Sequence, residues 1–462
     1  MDTIVKDYLK EYGYDNCIDE NQESRVNTWL EIYKGPTKRY NIQIYNGKNF
    51  TSHTIKSLNL PSQICGDLAD FFFNEKLDIT IDNNDVQAKI NQCLEQNNFL
   101  HNSNKLMQLV KALGTGAFVP YLDNNVLRIN YMKSPNIIIL KANADDVIDV
   151  LFWSKTKSNQ GYEYLFNLHI LTENGYVIYN AKKIEKDGGI IDEDLGEMAK
   201  IDTKSFLPRF GMLFTPEINN FDIDSPYGIS CYANALDVIF TTDCAYDSLD
   251  NEIVLGKKRV YIKSGAMEFN TDDNQNPVPV FDPNDVVYYA IPGEDGDGKE
   301  LIHESSFDLR IDPISSSVQY NLNLTTAKVG LGHNYYKFKD GEVYVNTDNV
   351  ISTNSDVYRK IKKQQNIITK AITSLIYAIA ELIGIKEQFS VSVFYDDSII
   401  EDTEKTQKQA QTEYNLKLIS KAQYYRDVYK MKDKEALKFA KQMNKEIIEE
   451  TITDGIEVAG DE

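Results

Sequence analysis

The longest uninterrupted helical pattern is the feature of this chain that most constrains its fold. From Thr347 to Ile383 there is no proline and no glycine, and apolar residues such as Val357, Ile368 and Leu375 recur on one helical stripe. Gly384 follows, as is typical of a helix C-terminus. At 1.5 Å per residue this helix is roughly 55 Å long. A single compact domain does not need a helix of that length.

A second long helical pattern lies earlier in the chain and is strongly acidic. Asp224-Ser225-Pro226 offers a capping residue and a proline suited to a first helical turn, and the pattern predicts a helix from Tyr227 to Leu255. Its polar face carries no lysine or arginine but five acids, Asp237, Asp243, Asp247, Asp250 and Glu252. Such a helix is unusual because like charges that are neighbours on a helix repel one another.

A small β insert is predicted between this helix and a returning one. The basic run Lys257–Lys263 is typical of a strand, and β segments punctuated by proline and glycine continue to about Glu304. The returning helix begins at Asp312-Pro313 and stops at Gly330. If the two helices pack antiparallel, the ends of the insert lie near one another. A polar and aromatic loop then occupies residues 331–346.

The N-terminal part of the chain predicts mixed helix and strand, followed by a sheet-rich body. Helices are expected at Gln63–Asn74 and Val86–Val110, with a strand at Leu77–Ile81 between them. Apolar runs separated by turn residues predict β structure from Ala117 to about Phe214. A further strand is expected at Phe389–Phe394, with charged helix after it. The predicted fold class is therefore α+β.

Composition narrows the class of protein. The chain has 462 residues, with 70 acids against 49 bases and a formal net charge of −21. Its 29 Tyr and 20 Phe exclude disorder of the whole chain, and its acidity disfavours nucleic-acid coating, which depends on clustered positive charge. The five cysteines, an odd number without a CxxC pair, predict reduced thiols in a cytoplasmic protein. The segment Met1–Asp7 lacks a signal-peptide pattern. The apolar stretch Ala371–Ala380 is short and flanked by charges, so it predicts a buried helix rather than a membrane span.

Motifs for catalysis or cofactor binding are weak. Gly114-Thr115-Gly116 is followed by Pro120 rather than by a helix, which favours a tight turn over a phosphate site. Asp295 and Asp297 resemble the start of a calcium loop, but Glu300 stands where that loop needs glycine. The histidines show no zinc-ligand spacing. We therefore expect no cofactor, no metal and no enzymatic activity.

The order of these elements resembles that of tailed-bacteriophage portal proteins, the head-to-tail connectors. Local phrases are similar to those of portals from siphophages and myophages of Gram-positive hosts. The phrases are Ser57–Pro61 with Ala69-Asp70, Ala112–Phe118, Val329–Gly332 with Ser352–Tyr358, and Tyr395–Ile400 with Ser420–Tyr425. The resemblance covers essentially the whole chain, and it rests on the order of the phrases.

The resemblance implies a portal architecture with a mixed α/β wing, long stem helices, a small clip that contains strands, and a helical crown. The implied division is 1–226 for the N-terminal mixed α/β part of the wing, 227–256 for the first stem helix, 257–304 for the clip, 305–332 for the second stem helix, 333–346 for the tunnel loop, 347–397 for the long wing helix and strand, and 398–462 for the helical crown and acidic tail.

The resemblance also implies a function. Twelve copies form a ring at the unique capsid vertex, beside the major capsid protein and scaffold, and viral DNA is packaged and ejected through it. Terminase docks on the ring first, and a head–tail adaptor docks afterwards. Double-stranded DNA passes without sequence-specific binding, and no membrane is involved. The implied location is the virion, with assembly in the host cytoplasm.

Site residues follow from these positions. Because carboxylates repel DNA phosphates, we expect Asp237, Asp243, Asp247, Asp250 and Glu252 to lie partly on the channel; alternatively they solvate a surface helix or pair with a neighbour. The tunnel loop contains Tyr335, Tyr336, Lys337, Lys339 and Asp340, and its lysines either touch phosphates or form salt bridges between subunits. Lys257, Lys258, Arg259 and Lys263 are expected to face docking partners or neighbouring clips.

Two other classes stay open at this stage. A tail or baseplate component has a similar composition but lacks a helix–insert–helix hairpin beside a loop. A metal-dependent nuclease or hydrolase requires the aspartates near Asp192 or Asp222 to converge.

Overall fold

The structure, a computed structural model, contains both helices and strands, which confirms the α+β class. It describes residues 2–45, 49–73, 77–124, 126–143, 146–159, 161–186, 189–256, 259–263, 269–271, 277–279, 287–291, 302–305, 308–339, 342–345, 355–395, 410–414, 416, 419–429 and 438–439.

Helices dominate the chain up to Leu113 and the segments after residue 235. They are α1 (Thr3–Glu11), α2 (Glu20–Lys34), α3 (Leu60–Asp70), α4 (Asn84–Gln96), α5 (Phe99–Leu113), α6 (Leu236–Leu255), α7 (Ile311–Val329), α8 (Ser355–Leu382) and α9 (Lys421–Tyr429). The predicted stops of α7 and α8 are confirmed. Gly330 and Gly384 have φ angles of 92° and 77°, which only glycine adopts readily.

Strands build the body between α5 and α6 and form five smaller sheets elsewhere in the described part of the chain. They are β1 (Asn41–Tyr45), β2 (Phe50–Thr54), β3 (Asp78–Ile81), β4 (Thr115–Asp123), β5 (Val126–Lys133), β6 (Ile137–Asn143), β7 (Asp146–Ser158), β8 (Gly161–Thr172), β9 (Gly175–Lys186), β10 (Gly189–Glu193), β11 (Lys200–Asp202), β12 (Gly211–Phe214), β13 (Arg259–Lys263), β14 (Phe269–Thr271), β15 (Pro277–Pro279), β16 (Val287–Ile291), β17 (Ile302–Ser305), β18 (Tyr336–Lys339), β19 (Glu342–Val345) and β20 (Val391–Phe394). The predicted β texture of 117–214 is confirmed.

Two antiparallel sheets make the body. The larger has the order β10-β9-β8-β7-β6, with β11 beside β9, and the smaller has the order β12-β4-β5. Helix α1 covers one face of the larger sheet, where the ring of Tyr8 stacks on Phe166 at 4.3 Å between centroids. The main core lies between α3, α5, α8 and the smaller sheet. The larger sheet packs against α1 on one side and against residues of the smaller sheet in a separate cluster.

Helix α8 confirms the predicted long helix over Ser355–Leu382, while the predicted first residues, 347–354, lie outside the described residues. Its residues Ile372, Leu375, Ile376 and Ile379 are buried in the main core, which confirms that the stretch Ala371–Ala380 is a buried helix. In the described part of the chain, no helix is both long enough and apolar enough to cross a membrane.

The predicted helix Val86–Val110 is two helices, α4 and α5. The chain breaks at Asn97-Asn98, and Asn98 has a left-handed φ of 46°. The buried Asn97 amide explains the break, because it pairs with the backbone of β5. Its Nδ2 donates to the carbonyl of Leu127 at 3.1 Å, and its Oδ1 accepts from the amide of Ile129 at 3.0 Å.

The predicted start of the acidic helix at Tyr227 is wrong, since α6 begins at Leu236. Residues 227–230 instead run without helical structure beside β4 and β12. Threonine hydroxyls hold this segment: the amide of Gly228 donates to Thr115 Oγ1 at 3.2 Å, and the amide of Ile229 donates to Thr215 Oγ1 at 3.1 Å. These bonds replace the helical ones that the sequence pattern predicted.

A β insert does lie between α6 and α7, as predicted. Its first strand, β13, pairs antiparallel with its last, β17, and parallel with β16. The register places Arg259 opposite Ser305, so the two ends of the insert lie side by side. Helices α6 and α7 pack on each other, which gives a helix–insert–helix hairpin.

The predicted loop 331–346 contains a β hairpin of β18 and β19, in which Tyr336 pairs with Val345. The predicted strand near Phe389–Phe394 is β20, and it pairs antiparallel with β3. This pairing brings the segment after α8 beside the N-terminal part of the chain.

The turn at Gly114 joins α5 to β4 and confirms the tight-turn interpretation. Its φ is 89°, and a Cβ atom built there would overlap the carbonyl group of Gly228. Its own carbonyl accepts from the amide of Thr215 at 3.1 Å. The glycine therefore permits both the left-handed turn and the close approach of two backbones.

We expect Gly114→Ala to lower the free energy of unfolding by about 2–4 kcal/mol, because alanine adds backbone strain and a steric overlap. Gly66→Ala is the matched control, since Gly66 lies within α3 and a Cβ atom there meets nothing within 4 Å. It should raise the free energy of unfolding by about 0.5–1 kcal/mol. Urea denaturation measures both, and equal shifts in the same direction would contradict the assignment.

Candidate functional site

All five acids predicted to line a channel lie on α6, but their environments differ. Asp243 and Asp247 are 0% and 7% exposed. The side chain of Asp237 is 95% exposed, that of Asp250 is 47% exposed and that of Glu252 is 15% exposed. The helix therefore buries part of its acidic face against another segment.

That segment is residues 39–45 and 49–58, which we call the arm; it contains β1 and β2. The Asp243 carboxylate accepts three hydrogen bonds from it. The hydroxyl of Tyr40 donates at 2.7 Å, the hydroxyl of Ser57 at 2.8 Å and the backbone amide of Leu58 at 2.8 Å. Burial raises the pKa of Asp243, while these hydrogen bonds act in the opposite direction. The carboxylate thus serves as an acceptor inside the subunit.

Asp247 repeats this arrangement one turn further along α6. Its carboxylate accepts from the backbone amide of Lys56 at 3.1 Å and from the side-chain amide of Asn251 at 2.9 Å. Its Oδ2 also lies 2.8 Å from Nε2 of His53. The ammonium of Lys56 reaches Asp250 at 2.7 Å. Three acids on one face of α6 therefore bind the arm.

The base of the arm is also fastened to the start of α6. The Arg39 guanidinium lies 4.0 Å from the centroid of the Phe240 ring and 3.8 Å from the Asp237 carboxylate. The Tyr40 ring packs edge-on against Phe240 at 5.3 Å. These contacts use cation–π attraction and aromatic packing in addition to charge.

Glu252 binds a different partner, at the junction with the returning helix. Its carboxylate accepts two bonds from the Arg310 guanidinium, at 3.0 and 2.8 Å, and one from the Arg310 backbone amide at 3.0 Å. Hydrogen bonds from Arg310 hold the pKa of Glu252 down to about 2. The pair ties the end of α6 to the start of α7, next to the insert.

These contacts correct one sequence-based expectation. In this subunit Asp243 and Asp247 have almost no surface to present to DNA, contrary to the expectation that they line a channel. The spacing of residues 243, 247 and 250 shows that they share a face, but not whether solvent or protein covers it. The positive charges that offset the carboxylates of α6 come from elsewhere in the chain, from Arg39, Lys56 and Arg310.

The predicted tunnel-loop residues also divide into two groups. Tyr335 and Tyr336 are 2% and 0% exposed, and the Tyr336 hydroxyl donates to Asp67 at 2.6 Å. Burial raises the pKa of both Asp67 and Tyr336. Lys337 is exposed. The two tyrosines thus fix the start of the hairpin in the core.

A glutamine on α7 also binds the backbone of the β18–β19 hairpin. Gln319 Oε1 accepts from the backbone amide of Phe338 at 2.7 Å, and its Nε2 donates to the carbonyl of Tyr336 at 2.9 Å. The backbone of Lys339 pairs with that of Glu342. Asp340 lies outside the described residues.

The predicted docking residues lie at the start of the insert. Arg259 and Lys263 are the first and last residues of β13, the central strand of its three-stranded sheet. Lys257 and Lys258 lie outside the described residues, as does most of the predicted crown.

Asp192 and Asp222, on which the hydrolase alternative depends, lie in an ion pair and in a turn, respectively. Asp192 lies 3.6 Å from Lys183, and Asp222 accepts from the backbone amide of Asp224 at 3.3 Å within a turn. Among the described residues, no three His, Cys, Asp or Glu side chains gather as a metal site. The five cysteines form no disulfide, and Cys65 Sγ lies 3.9 Å from Cys231 Sγ.

Comparison with known proteins places the chain in a family. The profile of the family described as "Phage portal protein, SPP1 Gp6-like" matches residues 14–303, which is well over half of the chain. The chain belongs to this family of phage portal proteins, and the resemblance seen in the sequence is confirmed. Its role is that of a portal, the structural head-to-tail connector.

Among solved structures, the chain is similar to one described as "Neck of native GTA particle computed with C12 symmetry". The TM-score is 0.37 and the sequence identity is 10%, over 79% of this chain and 88% of that chain. No curated protein matches the chain in sequence.

We expect Asp243→Ala to lower the free energy of unfolding by about 3 kcal/mol, because it leaves two hydroxyls and one amide of the arm without their acceptor. Asp237→Ala, on the exposed side of the same helix, is the control and should change it by no more than about 0.5 kcal/mol. Urea denaturation of the purified variants decides the matter. Similar effects of the two substitutions would show that Asp243 does not hold the arm.

Proposed function

We propose that the chain assembles as a homododecameric ring at the unique vertex of a phage capsid, beside the major capsid protein and scaffold. Viral DNA passes through the ring during packaging and ejection. The ring is assembled in the host cytoplasm and stays in the virion. The observation that carries this proposal is the portal-family match over residues 14–303, which includes α6 and the β insert.

In this proposal α6 and α7 form the stem (227–256 and 305–332) and the insert forms the clip (257–304). The clip receives terminase during packaging and a head–tail adaptor afterwards. Two contacts suit a rigid docking platform. The pairing of β13 with β17 closes the insert at its base, and the bidentate Glu252–Arg310 pair locks the adjoining helix ends. Arg259 and Lys263, on the central strand, are the residues we assign to partner docking together with Lys257 and Lys258.

The β18–β19 hairpin is the proposed tunnel loop (333–346), and α8 with β20 is the long wing helix and strand (347–397). The buried Tyr336–Asp67 bond and the two Gln319 bonds hold the base of the hairpin. A firmly held base lets the rest of the hairpin project without moving the core. Lys337 in this loop has an exposed side chain. We assign it to contact DNA phosphates or a neighbouring subunit. The remaining parts are the wing (1–226) and the crown (398–462).

The channel mechanism rests on like charge. A basic lining binds phosphates by releasing counterions, so twelve copies of it would hold DNA tightly. Carboxylates repel the phosphates and leave a mobile, hydrated duplex. Because Asp243 and Asp247 are buried, we assign this lining to Asp237 and Asp250, whose side chains keep exposed surface, and in a lesser measure to Glu252.

Purified protein imaged in negative stain should show rings with an axial hole. Its mass in solution should be about twelve times the 52.8 kDa of the subunit, because the function requires a closed ring. A protein that stays monomeric at every concentration, without rings, would refute the proposal.

Replacing Asp237 with Lys, alone and together with Asp250→Lys, should slow DNA packaging in a reconstituted motor by at least severalfold, since each change adds a phosphate-binding cation per subunit. Asp237→Asn and Asp250→Asn are the controls: they remove the same carboxylates without adding positive charge. We expect the Asn variants to package closer to the unsubstituted rate. Unchanged packaging by the Lys variants would rule out the lining role.

A further inference from the structure

The hairpin of β1 and β2 is almost wholly exposed. Nine of its ten residues are exposed, and His53 is intermediate. Ile44 is 46% exposed, Tyr45 58% and Phe50 70%. The rings of Tyr45 and Phe50 lie opposite each other in the register, 5.1 Å apart between centroids. The hairpin therefore exposes apolar side chains to solvent.

The hairpin also lacks the protection that exposed strands usually carry. Within the described residues β1 and β2 pair only with each other, so each has an open edge. Neither strand contains a lysine, arginine, aspartate or glutamate, although charges are what commonly keep open edges from pairing with other chains. A lone two-stranded hairpin is at best marginally stable in water. These features are typical of a surface that another chain covers.

The hairpin is nevertheless held in place. At its base the amide of Ile55 donates to the carbonyl of Tyr40 at 2.8 Å, and the hydroxyl of Thr54 donates to Asn41 Oδ1 at 2.8 Å. The carboxylates of Asp243 and Asp247 fix the residues just beyond it to α6. A surface held in one conformation loses less entropy when it binds a partner.

Charge indicates which partner covers it. From Ile32 to Gly66 the chain has five lysines and arginines and no acid, so all 70 acids lie elsewhere. Two copies that each carry a net charge of −21 repel as they approach. An acid-free surface is the part of one copy that meets the acidic remainder of another with least repulsion. DNA suits the hairpin less, because its strands carry no fixed charge and Arg39 and Lys56 already face Asp237 and Asp250.

We propose that the β1–β2 hairpin is a contact between subunits: it lies against an acidic face of the next copy of this chain in the ring. Such a contact joins two different surfaces, as head-to-tail closure of a ring requires. The proposal rests on the proposed function, since it supplies one of the contacts that close the ring. The carboxylates of α6 then act indirectly, by presenting the hairpin to the neighbouring subunit.

The test is the assembly of the full-length double variant Tyr45→Ser with Phe50→Ser, measured by mass photometry over a series of protein concentrations. Half-assembly of rings should require at least a tenfold higher concentration than for the unsubstituted chain. Ile190→Ser with Ile191→Ser is the matched control, because these residues are also adjacent, apolar and about half exposed on a strand. The control should assemble as the unsubstituted chain does.

A second measurement separates loss of contact from loss of folding. With a photo-crosslinking benzoylphenylalanine in place of Phe50, irradiated rings should contain covalently joined subunits. Crosslinks confined to single chains, or normal assembly of the serine double variant, would overturn the proposed hairpin contact. The portal function would still hold as long as the unsubstituted chain forms rings. Absence of rings from the unsubstituted chain would instead count against the portal function itself.

Discussion

The structure depends above all on two buried carboxylates. Asp243 and Asp247 of α6 together accept bonds from two backbone amides, two hydroxyls and an asparagine, and they join the N-terminal arm to the helix. A buried carboxylate is costly unless it accepts hydrogen bonds, and each of these two accepts at least two. Loss of either acid would leave donors unpaired on a segment far away in sequence. The acidic helix is therefore first of all a structural device and only at its exposed positions a candidate lining.

These carboxylate contacts belong to a set of hydrogen bonds that connects the arm, the stem helices and the hairpin of the proposed portal. The arm reaches α6, α6 is locked to α7 through Glu252 and Arg310, and α7 holds the β18–β19 hairpin through Gln319. The hairpin in turn reaches α3 through Tyr336 and Asp67. Each link uses a polar side chain that contacts another element rather than its own. These bonds link the arm, the ends of α6 and α7, the β18–β19 hairpin and α3 in one continuous set.

Some of these features could be predicted from the sequence and others could not, and each outcome has a physical reason. Gly330 and Gly384 stop α7 and α8 where expected, because only glycine takes their left-handed φ angles without strain. The start of α6 was misplaced since nothing local shows that Thr115 and Thr215 hold residues 228 and 229 outside the helix. Likewise the break at Asn97 depends on the backbone of β5. Long-range hydrogen bonds decided each case that local pattern missed, including the burial of Asp243.

A cryo-EM map of the assembled protein tests the central claim most directly, because it shows the ring and the side chains of α6 together. We expect a closed ring around an open axis, with Asp243 and Asp247 against the arm of the same subunit and Asp237 free of protein contacts that exclude solvent. A map without a central opening, or one in which Asp243 and Asp247 leave the arm and point toward the axis, would contradict it.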